Sequence, residues 1–301
     1  MNQGIFGRWP TLPSRILLII GVLTLLPGCS DPNRIVIGSK NFTEQIILGE
    51  LIAQHLENQT GLNIDRRLNL GGSFVCHQGL IAGQLDIYVE YTGTALAAIL
   101  EETPSTDPDT VLARVRQAYR EEFDVEWMEP LGFNNTFAIL VRGEDARRLD
   151  LRNISDAAGH TSDWIAAFGY EFAQRADGYP GLAETYELEF PDTPRVMELG
   201  LTYQALADGQ VDLIAGNSTD GLIDVLDLAM LTDDRQYFPT YDAVPIVRQE
   251  TLDQHPEVAE ALGLLGGLIS EEEMRQLNYR VDGEREDVSV VVSEFLASKG
   301  L

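Results

Sequence analysis

Residues 79–94 read GLIAGQLDIYVEYTGT, and 126 positions later residues 205–220 read ALADGQVDLIAGNSTD. In each copy an apolar helical run ends at a glycine, Gly83 or Gly209. Gln and a hydrophobic residue follow, then an aspartate (Asp86, Asp212), a short apolar strand and a turn. A supersecondary unit built twice at this separation implies two similar lobes whose equivalent turns face one another across a cleft. The register sets Tyr91 against Asn217 and Thr92 against Ser218. This arrangement predicts a ligand clamp rather than a single-lobed catalyst.

Upstream of the first copy, Arg34 to Gly38 (RIVIG) reads as a β-branched strand, and apolar residues from Ile46 to Leu56 recur at helical spacing. Asn41 with Glu44 three residues later predicts a capping box at the start of that helix, with Thr43 as the alternative cap. Asn63 to Leu70 reads as a second strand, Ser73 to Ala82 as a helix and Leu85 to Val89 as a third strand. This β-α-β-α-β order predicts a parallel sheet covered by helices. A polar, proline-containing loop (101–110) precedes a helix that Pro108 opens at its first position. The strand at Asn135 to Val141 is expected to carry the chain into a second lobe, residues 138–238, and the segment Tyr237 to Tyr241 to bring it back. The first lobe then comprises 29–137 and 239–301, with helices near 256–265, 270–278 and 286–298. Two crossings make a hinge, and closure around a ligand is the expected motion.

Residues 1–28 read as an export signal. Arg8 and Arg15 precede an apolar stretch, Ile16 to Leu26, that is shorter than the roughly 20 residues a membrane-spanning helix needs. It ends in Leu26-Pro27-Gly28-Cys29-Ser30, which resembles a bacterial lipoprotein signal with Cys29 as the lipidated first mature residue; the alternative is an ordinary secretory signal with a chance cysteine. Periplasm or cell surface, with a lipid anchor, is the expected location. Cys76 is the only other cysteine, so no disulfide within the mature chain is expected, and Cys76 itself reads as a small core residue. A formal charge of −27, with only two lysines (Lys40, Lys299) against 48 acidic residues, excludes nucleic acid as a partner. It fits either an arginine-favouring genome with solvated acidic faces or life in high salt. The four histidines lack metal-ligand spacing, and no nucleophile–base set appears, so neither a metal, nor a cofactor, nor catalysis is expected.

The stretches GSKNFTEQIILGELIAQHLE (38–57), LGGSFVC (70–76), DIYVEYTGTAL (86–96), PLGFNNTFAI (130–139), EFAQRADGYPGL (171–182), NSTDG (217–221) and FPTYDAVPIVR (238–248) together resemble one known family. It is that of the osmoprotectant-binding proteins of ABC importers, which capture glycine betaine, choline, carnitine or related quaternary amines. The resemblance implies a type II-like periplasmic-binding-protein (Venus-flytrap) α/β fold, a monomer, and delivery of the ligand to a permease with a cytoplasmic ATPase. It also implies an aromatic box around the quaternary ammonium, with polar groups for the ligand's carboxylate. A trimethylammonium head has no N–H to donate, so ring faces must recognise it, at about 0.5–2 kcal/mol each when desolvated. The box positions fall on Tyr91, Phe137, Asn217 and Tyr241, and the polar positions on Lys40, Thr94, Asn135, Glu171 and Arg175. Lys40 and Arg175 are expected to clamp the carboxylate. Phe137 and Asn217 depart from the usual tyrosine, and Asn217 removes a wall. Either Trp164, Phe168 or Tyr170 fills that gap, or the ligand is a larger betaine such as carnitine or ergothioneine. A ligand-sensing lipoprotein of the same fold is the alternative to a transport component.

Read without the family, Lys40 lies at a strand end before a helix start, which favours an anion; the bland reading is a solvated turn lysine. Glu171 and Arg175, four apart, read equally well as a surface helix pair. Trp127 and Trp164 read as core.

Overall fold

The computed structural model describes residues 33–103, 105 and 107–301; the leader and Cys29 lie outside the described residues. Among the described residues, ten strands form two five-stranded sheets. The first contains β1 (Arg34–Lys40), β2 (Asn63–Gly71), β3 (Ile87–Tyr91), β4 (Val125–Trp127) and β10 (Ala243–Arg248), in the order β2-β1-β3-β10-β4. The second contains β5 (Phe137–Arg142), β6 (Ala166–Gly169), β7 (Arg195–Met197), β8 (Leu213–Asn217) and β9 (Leu228–Leu231), in the order β7-β6-β8-β5-β9. The two orders correspond strand for strand. Each sheet is mixed: β10 runs antiparallel to β3 and β4, and β5 antiparallel to β8 and β9. The three strands expected to lie parallel, β1, β2 and β3, do so; the antiparallel neighbours were not foreseen. The strand added by each crossing arrives from the other lobe and enters from the opposite end.

The echoed units fold alike to the level of single hydrogen bonds. Gly83 and Gly209 adopt φ of 67° and 69°, the left-handed region where a side chain is disfavoured. The amide of Asp86 donates to Val36 O at 2.8 Å and its carboxylate accepts from Val36 N at 2.8 Å. Asp212 repeats both bonds with Ile165, at 2.7 and 2.9 Å. An arginine from the antiparallel neighbour meets each aspartate, Arg248 on Asp86 and Arg142 on Asp212. The aspartate thus pins the start of the central strand to the neighbouring chain in both lobes.

Strand β3 is buried along its whole length, as expected of a strand covered on both faces. One apolar cluster runs from Ile35, Leu51 and Ile87 through the crossings to Ile139 and Phe168, while separate clusters cover the other face of each sheet. The helix α1 (Thr43–Thr60) packs against the C-terminal helices Pro256–Gly263, Glu271–Asp282 and Val288–Lys299 beside the first sheet. Cys76, on the helix α2 (Ser73–Ile81), is wholly buried, and burial pushes its thiol up to about 12. Trp127 is core; Trp164 is only partly buried and stacks on His160.

The chain leaves the first sheet after β4 and returns before β10, and the two crossing segments brace each other. Asn134 and Asp242 form an antiparallel bridge, Asn135 N donates to Tyr241 O at 3.0 Å, and Tyr241 N donates to Asn134 Oδ1 at 2.7 Å. The capping box expected from Asn41 and Glu44 is absent. Phe42 occupies the N-cap without a side-chain bond, Asn41 N is taken by Gly71 O at 3.0 Å, and Glu44 turns inward, 1% exposed.

Candidate functional site

Four segments converge at the cleft. The end of β1 with the start of α1 brings Lys40, Phe42 and Glu44; β3 and the turn after it bring Tyr91 and Thr94. The braced crossings bring Asn135, Phe137 and Tyr241. From the second lobe come Asn217, at the end of β8, and Glu171 and Arg175, in and just after the short helix Tyr170–Gln174. All nine residues predicted for the site line one cavity of about 50 Å³. Phe42 and Ser73 line it too and were not foreseen. Tyr91 and Asn217, equivalent in the echoed turns, face this same space.

Four rings border the cavity: Phe42, Tyr91, Phe137 and Tyr241. Phe42 stacks on Tyr91 at 6.4 Å between centroids, and Phe137 meets Tyr241 edge-on at 5.6 Å. The fourth ring is thus Phe42, not Trp164, Phe168 or Tyr170. Phe168 is buried in the core of the second lobe, and Tyr170 is largely exposed and lines neighbouring cavities rather than this one. Both tyrosines donate their hydroxyls to buried carboxylates: Tyr91 to Glu44 Oε1 at 2.6 Å and Tyr241 to Asp177 Oδ2 at 2.7 Å. Burial holds both phenols well above their ordinary range, so they remain donors.

The two expected clamp cations are already in buried ion pairs. Lys40 Nζ binds Glu90 Oε1, and Arg175 grips both oxygens of Asp177 through Nε and Nη2. Each cation also sits against a ring, Lys40 Nζ 4.8 Å from the Tyr91 centroid and Arg175 Cζ 5.1 Å from that of Phe137. Donors nonetheless remain, because an ammonium has three and a guanidinium five. Counting Glu44, Glu90, Glu171 and Asp177, the site carries more formal negative than positive charge.

Several of these residues also tie the lobes together. Glu171 accepts from Ser73 N at 2.6 Å, at the start of α2 across the cleft, and Arg175 Nη2 donates to Thr94 Oγ1 at 3.2 Å. Thr219, two residues past β8, donates to Glu44, and Asn278 Nδ2 donates to Thr219 O at 2.8 Å. These bonds hold the two lobes against each other across the cleft. Glu171 and Arg175 also approach within 3.7 Å; Arg175 is buried, whereas Glu171 stays partly exposed.

Beside the box lies a second chamber of about 260 Å³, which shares Lys40, Phe42, Phe137, Glu171 and Asn217 with it. Tyr170, Phe172 and Leu199 give it an apolar lining, and Asn41 and Glu198 add polar groups. Asn217 stands between the two spaces. Among the described residues no group of histidines, cysteines and carboxylates is arranged to hold a metal ion, and no helix is long and apolar enough to cross a membrane.

A carnitine transport binding protein from Listeria monocytogenes is 36% identical over 289 residues, which cover 93% of this chain and 94% of that one. An ergothioneine transport permease/binding protein from Helicobacter pylori is 32% identical over 95% of this chain, which spans about half (51%) of that longer protein. The crystal structure of a glycine betaine/carnitine/choline ABC transporter protein, 35% identical, superposes with a TM-score of 0.74 over 88% of this chain and 98% of that one. The two corresponding sheets joined by two crossings are therefore the two-lobed periplasmic-binding-protein fold. Residues 33–298 match the family model described as the substrate-binding domain of ABC-type glycine betaine transport systems, and the chain belongs to that family.

Proposed function

We propose that this protein captures a quaternary ammonium solute of the glycine betaine, choline or carnitine class in the cleft and hands it to an ABC permease driven by a cytoplasmic ATPase. The observation that carries this reading is the box itself: four rings round one cavity, with both tyrosine hydroxyls tied to buried carboxylates. A permanent cation without donatable protons can be held in a desolvated site by ring faces backed by negative charge. In the mechanism we infer, the head group seats against Tyr91, Phe137 and Tyr241, and a carboxylate on the ligand takes the remaining donors of Lys40 and Arg175. The second lobe then closes through Glu171, Arg175 and Thr219. Asn135 Oδ1 is buried and has no hydrogen-bond partner among the described residues, so a ligand hydroxyl fits there. Carnitine and choline carry such a hydroxyl; glycine betaine does not. We further infer that the chain is exported as a monomeric lipoprotein anchored through Cys29, and that it has no catalytic role.

The chamber beside Asn217 favours a second reading, a betaine with a larger body such as carnitine or ergothioneine. Calorimetric titration of the purified protein with glycine betaine, choline, carnitine and ergothioneine tests both. Binding of at least one quaternary amine at one per chain is expected; silence with all four contradicts the assignment. A preference for the larger betaines supports the second reading, and a preference for glycine betaine contradicts it.

A further inference from the structure

We propose that Glu44, a buried carboxylate behind the box, couples closure of the lobes to the hold on the cation. The proposal rests on the reading of the site given above and adds a residue to it. Glu44 does not line the cavity, so it acts through Tyr91 as a positioning residue.

Four donors from four parts of the chain converge on its two oxygens. Oε1 accepts from the Tyr91 hydroxyl at 2.6 Å and from Asn135 Nδ2 at 2.8 Å. Oε2 accepts from the Thr219 hydroxyl and from Asn278 Nδ2 at 3.2 Å. Two donors on each oxygen are the complement of an ionised carboxylate, which only accepts. Burial, the larger effect, pushes the carboxyl above its ordinary range, and the four hydrogen bonds act in the opposite direction. None of the four partners is a cation, and Glu44 forms no ion pair with any described residue, whereas Glu90 and Asp177 have Lys40 and Arg175. A buried carboxylate without a basic partner is costly. The permanent cation seated on the Tyr91 ring, one phenol away, supplies the missing counter-charge. A phenol donating to a carboxylate also presents a more electron-rich ring face to that cation.

The set of donors is complete only when the lobes are shut. Tyr91, Asn135 and Asn278 come from the first lobe and the crossing, but Thr219 comes from the turn after β8 in the second lobe. Asn278 bridges the two, donating to Glu44 and to Thr219 O. Closure therefore completes the shell that holds the charge, and the charge strengthens the ring that holds the ligand. Each step favours the other.

The test compares choline with 3,3-dimethylbutan-1-ol, its uncharged carbon isostere, by titration or displacement. Glu44→Gln keeps the side chain's shape and removes its charge. The variant is expected to lose at least tenfold in affinity for choline while changing affinity for the neutral alcohol less than threefold. Equal losses for both probes, which a purely structural role would give, overturn the proposal, as does no loss. Thr219→Val leaves the Tyr91–Glu44 bond intact and decides the matter if the first variant fails to fold. It should weaken choline severalfold and lower the closed fraction seen by fluorescence transfer between dyes on the two lobes; unchanged binding overturns the coupling. If the parent protein binds choline, glycine betaine and carnitine not at all, the reading of the site fails first, and this role with it.

Discussion

The Tyr241 ring is held at three places. The backbone amide of this residue is tied to Asn134, its hydroxyl to Asp177, and its ring packs at a steep angle to Phe137. Such a ring is preorganised, so its loss should appear directly in affinity. Tyr241→Ala is expected to weaken binding of any quaternary ligand tenfold or more in calorimetry, about 1.4 kcal/mol or above, within the range of one desolvated cation–π contact plus lost packing. An unchanged constant would remove Tyr241 from the box. Asn217→Tyr, by walling the box off from the adjoining chamber, is expected to raise affinity for glycine betaine relative to carnitine; a lower ratio would mean that Asn217 contributes a contact of its own. At this scale the sequence was informative where the echo or the family motif marked a position: all nine marked residues reach one cavity. Phe42 and Glu44 were missed because Asn41 and Glu44 have the spacing of a capping box. That local signal lost to Gly71 O, which takes the Asn41 amide, and to Tyr91, which draws Glu44 inward. Asp177 carried no signal at all, since one carboxylate among so many acquires meaning only from what faces it.

Among the elements, the turn at residues 217–221 decides how tightly the lobes meet. Gly221 packs on the helix Glu271–Asp282 so closely that an added Cβ would lie 2.4 Å from Tyr279 N. Backbone cannot yield as a flexible side chain does. Gly221→Ala should therefore hold the lobes apart, lowering ligand affinity and enlarging the radius of gyration by small-angle scattering; an unchanged radius would show that the turn does not govern closure. The same turn carries Asp220, which accepts from the Tyr203 hydroxyl and from Asn217 N. Burial pushes its carboxyl up to about 7, and the charge of Glu44 adds to the effect. Between the ordinary carboxylate range near 4 and that value, the folded chain keeps a proton that the unfolded chain has released. Stability then falls as pH rises through this window, and the loss is complete above it. The drop in urea midpoint from pH 4.5 to pH 7.5 should be smaller in Asp220→Asn than in the parent; equal drops would mean that Asp220 is ionised throughout. Helices and strands were legible here because their periodicity is local. So was the parallel run of β1, β2 and β3; the direction of β5 and β10 was not, because they acquire their antiparallel pairing only from the crossings.

For the whole molecule, the doubled sheet order and the doubled aspartate pins make the lobes two versions of one unit, and one cavity lies where their equivalent turns meet. That much followed from GLIAGQLDIYVEYTGT and its echo. What the sequence left open was charge compensation. Lys40 and Arg175 were read as clamps for a ligand carboxylate, and each lies in a buried ion pair whose partner is remote in sequence or unremarkable in it. A ligand that binds only the folded, closed form should also raise stability by about 2.7 kcal/mol when present at a hundred times its dissociation constant. A crystal structure with a bound quaternary amine tests the central claim most directly. The account predicts its nitrogen within about 6 Å of the ring centroids of Tyr91, Phe137 and Tyr241. A head group lodged away from those rings, or a ligand held only through its carboxylate, would contradict it.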